Sequence, residues 1–221
     1  MNVDALLFDF DGVLIESEAL SSRHIAEVLT GLGHPTSAAQ AQARFMGLAG
    51  GDLTAALTDW IGGPVPDAYR SAREAAGRQA MAEGVDAVVG AIAFVRALPP
   101  GLPIAVTSSS STAWIAAHLT HLGLRERFGD HLYSGHEHVA RGKPAPDVYL
   151  HAAAALGLPI ARCAVIEDSP VGVTGAVASG ARVIGLVAAS HCDDGHAARL
   201  RALGADHVAG SFAEVARMLD L

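Results

Sequence analysis

The chain has 221 residues, 51% of them hydrophobic, 17% charged and 5% aromatic, with a formal net charge of −8. That apolar content excludes intrinsic disorder, and an acidic balance without any basic cluster argues against a nucleic-acid groove. The apolar runs are short and broken by charge, so none reads as a transmembrane span.

In chain order, residues 3–8 form a first apolar run that stops at Asp9. Strand-length runs follow at 103–107, 164–166 and 182–187, with weaker ones at 131–134 and 206–208. Each is bounded by Gly, Pro, Ser or Asp, as strands buried on both faces of a parallel sheet usually are. Between them the pattern predicts helices over 87–98, 112–122, 146–156, 170–179, 195–203 and 212–219. Pro146 and Pro170 suit a first helical turn, where no backbone donor is needed. Strand alternating with helix points to the α/β class with a doubly wound parallel sheet. The first crossover breaks this rhythm. No convincing strand lies between Phe8 and Pro103; residues 17–32, 37–46, 51–60 and 66–83 read instead as four helices joined by turns such as Gly62-Gly63-Pro64. The economical reading is a core of residues 1–15 and 86–221 with a helical subdomain, 16–85, inserted after the first strand.

Aspartate at position 4 comes too soon for a signal peptide. Two cysteines, Cys163 and Cys192, form no CxxC pair and fit a reducing compartment, so the expected location is the cytoplasm. Fourteen arginines accompany a single lysine, Lys143. Drift from lysine to arginine explains the fourteen, and it raises the question of what arginine cannot do at position 143.

Sites in open α/β sheets form at the carboxyl ends of strands. Asp9-Phe10-Asp11-Gly12 follows the first run, Ser108-Ser109-Ser110-Ser111 follows the second, and Glu167-Asp168-Ser169 follows the run at 164–166. Gly142-Lys143-Pro144 precedes the helix at Pro146. Taken singly, these are a turn, a helix N-cap, a solvated loop and a surface lysine. Their conjunction at one sheet edge carries the functional reading. Gly12 can adopt a positive φ, so Asp9 and Asp11 can face one cavity in different roles. Clustered carboxylates are hard ligands suited to Mg²⁺, which also takes a phosphate oxygen. The cation makes an acidic site accept an anion, while a serine hydroxyl and the lysine hold the remaining phosphoryl oxygens. A carboxylate attacking phosphorus gives an acyl phosphate. The second carboxyl can protonate the leaving alcohol and then deprotonate the attacking water.

The pattern resembles the haloacid dehalogenase superfamily of Mg²⁺-dependent phosphotransferases, in order and spacing, over essentially the whole chain. The residues that carry the resemblance are Asp9-x-Asp11-Gly12-x-Leu14, Ser108 after a strand, Lys143-Pro144, and Glu167-Asp168-Ser169 with Gly172. The insert is similar to the helical cap of the type shared by sugar-phosphate phosphatases and β-phosphoglucomutases. The resemblance implies Asp9 as nucleophile and Asp11 as general acid/base. It implies Ser108, with the backbone N–H groups of Ser109 and Ser110, as phosphoryl binders, and Lys143 as the cation beside Asp9. Mg²⁺ would be held by Asp9, the Asp11 backbone carbonyl, Asp168 and Glu167, the last directly or through water. A cis Lys143–Pro144 bond is implied as well. In such enzymes cap closure excludes water and selects the leaving group. Arg44 and Gly47, in the glycine-rich stretch 44–51, are the expected substrate contacts there, and Glu16 is a hinge or substrate contact where the chain leaves the core.

The resemblance also orders the candidate activities. Asp11 separates the chain from true haloacid dehalogenases, and the absence of a second lysine separates it from phosphonatases. β-Phosphoglucomutases carry a histidine where Ser21 stands, and cations in the loop matching Met46-Gly47-Leu48-Ala49-Gly50, which has none. A phosphatase of sugar or polyol phosphates is therefore expected first and a mutase second, with Arg44 or Arg23 as substitute cations. A receiver-like aspartyl-phosphate switch comes third. The expected partner is a small phosphorylated metabolite, with no nucleic acid or membrane; a monomer is the default and an oligomer stays open. His136 with His138, and His191 with Cys192 and His196, carry metal-ligand types without structural zinc spacing. Trp60 and Trp114 read as core residues.

Overall fold

The computed structural model describes residues 3–46, 48 and 50–221; Gly47, expected as a substrate contact, lies outside the described residues. The element order is β1 (Ala5–Phe8), α1 (Ser17–Gly31), α2 (Ala38–Phe45), α3 (Gly50–Ile61), α4 (Asp67–Glu83), α5 (Ala91–Ala97), β2 (Ile104–Ser108) and α6 (Thr112–His121). It continues with α7 (Arg125–Phe128), β3 (Leu132–Ser134), α8 (Asp147–Ala155), β4 (Cys163–Glu167), α9 (Pro170–Ser179), β5 (Arg182–Leu186), α10 (His196–Ala202), β6 (His207–Ala209) and α11 (Phe212–Leu219).

The six strands form one sheet in the order β3-β2-β1-β4-β5-β6, and each neighbouring pair is parallel. This is the doubly wound arrangement expected from alternating strands and helices. Successive side chains of a strand point to opposite faces, and β1 shows it. Leu7 packs on one face with Val165, Val183 and, from α8, Val148 and Tyr149. Phe8 turns to the other, edge-on to Phe94 of α5 and Phe128 of α7. Dry packing on both faces is why these strands read as apolar runs rather than alternating ones.

The chain divides into two compact units, Met1–Glu16 with Asp86–Leu221 and Ser17–Val85. The second is built from α1 to α4 and has its own core, in which Leu29, Phe45, Leu57 and Tyr69 are buried together. Trp60 belongs to that core, as expected: its ring lies edge-on to Phe45 at 5.8 Å and its indole N–H donates to Thr36 Oγ1 at 2.9 Å. Ser37 and Gln40 form a capping box that starts α2. No helix among the described residues is long and apolar enough to cross a membrane.

Two local expectations differ. The helix predicted over 87–98 begins at Ala91. Before it, Ala87 pairs with Ile15 in an antiparallel bridge and the Val88 N–H donates to Leu14 O. Ala87-Val88 is thus extended chain returning beside the segment that leaves β1, and Val89-Gly90 turn it into α5. The single-turn α7 was not predicted, because four residues, three of them charged, carry no periodicity. Pro170 opens α9 as predicted, whereas Pro146 stands at the N-cap of α8.

Candidate active site

The strand order reverses at β1, the switch point where an open sheet forms a crevice at its carboxyl ends. Phe8 of β1 is in register with Ile166 of β4, and the Asp9 N–H donates to Ile166 O at 2.9 Å. The next residues on these two strands, Asp9 and Glu167, therefore emerge side by side, with Asp168 following. One carboxylate oxygen from each of Asp9, Glu167 and Asp168 lies within 4.8 Å of the others, and all three residues are buried. Lys143 arrives from the segment between β3 and α8, next to a cis Lys143–Pro144 bond. Its Nζ is 2.7 Å from Asp9 Oδ1 and 2.5 Å from Glu167 Oε1, and its side chain is only 4% exposed.

Glu167 is held on every side. The Tyr149 hydroxyl donates to Oε1 at 2.8 Å, and the Ser169 N–H and hydroxyl lie 3.3 and 3.2 Å from Oε2. Gly172, in the first turn of α9, is where this side chain lies on backbone. A Cβ there would stand 2.0 Å from the Glu167 carboxyl carbon, so any other residue would push the carboxylate away. Gly12 has φ +83° and the same relation to Asp168, whose Oδ2 would meet a Cβ at 2.0 Å. Position 12 thus needs glycine for both conformation and space.

Three carboxylates face few cations here, and the titration behaviour follows. Burial raises the pKa of Asp9 well above its ordinary value; the charges of Glu167 and Asp168 add to that, against the opposing pull of Lys143. Burial alone would discharge Lys143, but Asp9 and Glu167 outweigh it and hold the ammonium protonated well beyond the usual range. Burial also works against the His191 imidazolium. Hydrogen bonding to Asp168 and Cys192 outweighs it and raises that pKa to about 10. Asp168 Oδ1 is buried and accepts no hydrogen bond from any described residue. An unbonded carboxylate oxygen among clustered hard donors, with negative charge in excess, is what a small divalent cation would complete.

Asp11 sits differently. Its Oδ2 accepts from Ser110 Oγ at 2.5 Å and lies 3.4 Å from Ser108 Oγ, while Oδ1 accepts from the Trp114 indole N–H at 3.2 Å. The Ser110 N–H donates to Ser108 Oγ at 2.9 Å, and Ser111 caps α6 by accepting from the Trp114 N–H. One serine of the run is the N-cap, as its position implies. Trp114, expected in the core, is instead a partner of Asp11. Its place in the first turn of a helix that starts at a site-bearing strand end is the signal that could have revealed it.

A family model of haloacid dehalogenase-like hydrolases matches residues 3–180. The chain belongs to this family. A HAD family hydrolase from Deinococcus radiodurans R1, solved with bound phosphate and sodium, superposes with TM-score 0.86 at 37% identity, covering 99% of this chain and 96% of that one. Among curated proteins, Escherichia coli hexitol phosphatase A is 40% identical over 103 residues, 46% of each chain. Escherichia coli fructose-1-phosphate phosphatase YqaB is 30% identical over 176 residues, 79% of this chain and 92% of that one. The chain spans less than half the length of the first curated relatives it matches, 18%, 46% and 28%.

For a haloacid dehalogenase-like hydrolase, the structure brings together Asp9, Lys143, Glu167 and Asp168, with Asp11, Ser108 and Ser110 grouped beside them; Ser109 is exposed at the same strand end. The Glu16 carboxylate accepts from the Ser190 hydroxyl at 2.7 Å and from the Ser190 N–H, so it ties the end of the first core segment to the segment after β5. In the helical unit, Arg44 is paired with Asp59 at 2.5 Å, and Ser21 accepts from Arg73 at 3.0 Å. Tyr149, His191 and His196 were missed as site residues. Each reads locally as an ordinary helix or loop position, and only the tertiary fold brings them to the carboxylates.

Proposed function

We propose that this hydrolase cleaves small phosphate monoesters of sugars or polyols, with Asp9 as nucleophile and Asp11 as general acid/base. What carries the reading is the contrast between the two aspartates: Asp9 is buried against Lys143, while Asp11, two residues on, is bonded to neutral donors. Lys143 fixes Asp9 Oδ1, which makes Oδ2 the attacking atom. As the Oδ2–P bond forms, the ester P–O bond breaks and Asp11 gives its proton to the leaving alcohol. Asp11 then takes a proton from water as that oxygen attacks phosphorus, releasing phosphate and restoring Asp9. Ser108 Oγ and the Ser109 and Ser110 N–H groups receive the phosphoryl oxygens, the Ser110 N–H giving up its bond to Ser108 Oγ.

Asp9, Asp168 and the Asp11 backbone carbonyl would hold Mg²⁺, with Glu167 acting through water because its own oxygens are engaged by Lys143, Tyr149 and Ser169. When bound, Mg²⁺ supplies positive charge between the carboxylates and the incoming phosphate. The helical unit is assigned the choice of ester, with Arg44 and Gly47 as its candidate contacts, and Glu16 at the end of the first core segment is a third candidate. Both cysteines are unpaired thiols, which suits a cytoplasmic enzyme.

The test is a panel of sugar and polyol phosphates, hexose 1-phosphates included, assayed for phosphate release with Mg²⁺ and with a chelator. Release should require the cation, and Asp9→Asn should lower it by about 10³-fold or more. Full activity in Asp9→Asn would refute the assignment. Isomerisation of a hexose 1-phosphate, dependent on its bisphosphate and without free phosphate, would replace it with the mutase.

A further inference from the structure

We infer that His191 and His196 are positioning residues for Asp168, clamping it so that its Oδ1 stays turned to the cation site. This rests on the cation reading above. The His191 Nε2 is 3.0 Å from Asp168 Oδ2, and the His196 Nε2 is 2.6 Å from the Asp168 backbone oxygen. Both histidines are 4% exposed. They come from one stretch, the loop after β5 and the first residue of α10.

Hydrogen-bond logic fixes the protons. A backbone carbonyl only accepts, so His196 Nε2 carries hydrogen. Its Nδ1 is 3.0 Å from Arg199 Nη2, which only donates, so that nitrogen presents its lone pair. Arg199 is in turn held by Asp193 at 3.0 Å. A carboxylate oxygen likewise only accepts, so His191 Nε2 carries hydrogen toward Asp168. With Oδ2 and the backbone oxygen both engaged, and the Gly12 backbone packed against Oδ2 and His191 Cε1, the carboxylate has little room to rotate. Oδ1 is thereby kept buried without a described partner, a costly state for a carboxylate oxygen unless a ligand completes it.

His191, Cys192 and His196 also have ligand atoms within 4.8 Å of one another, which raises a soft-metal site as the rival. The proton assignments oppose it. His191 Nε2, 3.7 Å from Cys192 Sγ, bears hydrogen toward Asp168, and His196 has one nitrogen on a carbonyl and the other facing a guanidinium. A metal held by His191 Nε2 and either nitrogen of His196 would break the bond from His191 to Asp168 and one of the two bonds made by His196.

The experiment titrates the protein with Mn²⁺ as a spectroscopic stand-in for Mg²⁺, reading free Mn²⁺ by electron paramagnetic resonance. His191→Ala should weaken Mn²⁺ binding by about 10- to 100-fold, and His196→Ala by about threefold to tenfold. His191→Gln, whose amide N–H can reach the place of Nε2, should restore affinity to within about threefold of the parent. Folded His191→Ala protein that binds Mn²⁺ as the parent does would overturn the clamp. Should His191→Ala not fold, His191→Gln and His191→Met both fill the space, and equal Mn²⁺ affinities for those two would overturn it instead. A parent protein that binds no Mn²⁺ overturns the cation reading and the clamp with it, whereas binding that no variant changes removes the clamp alone.

Discussion

In the sheet-bearing unit, Asp9, Glu167, Asp168 and Lys143 are buried together, and the side chains of the Lys143–Asp9 pair are 4% and 8% exposed. In the helical unit the ion pairs among the described residues lie at the surface: the side chains of Arg44 and Asp59 are 47% and 73% exposed, those of Arg70 and Asp67 59% and 95%. Surface pairs of that kind add little to stability. Burying several like charges carries a desolvation penalty that packing alone would avoid, so such a cluster points to chemistry. Both units have a hydrophobic core, but among the described residues only one holds charge where water cannot relieve it.

The sharpest way to break that contrast is to keep the charge at position 143 and change its shape. The Nζ contacts to Asp9 and Glu167 are short, and the side chain passes the Tyr149 ring, whose centroid is 5.4 Å away. A planar guanidinium is larger and directs its donors in a fixed fork. Lys143→Arg should therefore lower turnover by about 10²-fold or more while the protein still folds. Near-parental turnover would show that the buried cluster tolerates any cation, and that the lone lysine among fourteen arginines is an accident of composition.

A smaller effect probes the neutral side of the same site. Trp114→Phe keeps a ring against His118, whose centroid is 4.0 Å from that of the indole, but removes the N–H that donates to Asp11. A hydrogen bond to a charged group contributes about 1.5–3 kcal/mol, so kcat should fall by about 10- to 100-fold if Asp11 depends on that donor, and the melting temperature should fall by several degrees. A folded variant with parental kcat would mean that the indole only fills space and does not orient Asp11.

The sheet-bearing unit was legible because its chemistry is written at strand ends. Asp9, Ser108 and Glu167 each close an apolar run, and the parallel, doubly wound class follows from the alternation of strands with helices. Lys143 stood out as the only one of its kind. What could not be read there depends on tertiary approach. Tyr149 reaches Glu167 from the apolar helix α8, and His191 and His196 reach Asp168 from a different crossover. No local spacing encodes these meetings. The helices of the other unit could also be placed from their periodicity and caps. Whether they touch substrate could not be read, since residues such as Leu29 and Phe45 are patterned for packing and the surface charges carry no arrangement that specifies an anion.

The smallest expected effect is therefore the one that tests the helical unit. Arg44 offers its guanidinium to Asp59, so reading a substrate charge would require it to leave a partner that already balances it. The exposed pair contributes about 0–1 kcal/mol, and Arg44→Ala should leave the melting temperature nearly unchanged. For esters whose only charge is the transferred phosphate, kcat/KM should stay within about twofold of the parent. Esters with a second anionic group decide the matter. If Arg44→Ala lowers kcat/KM for those by tenfold or more and spares the singly charged ones, the exposed pair is a reserve that substrate recruits, and surface charge in the helical unit carries function after all. If both classes are spared, Arg44 reads no substrate charge, and the division between buried, chemical charge and exposed, incidental charge stands.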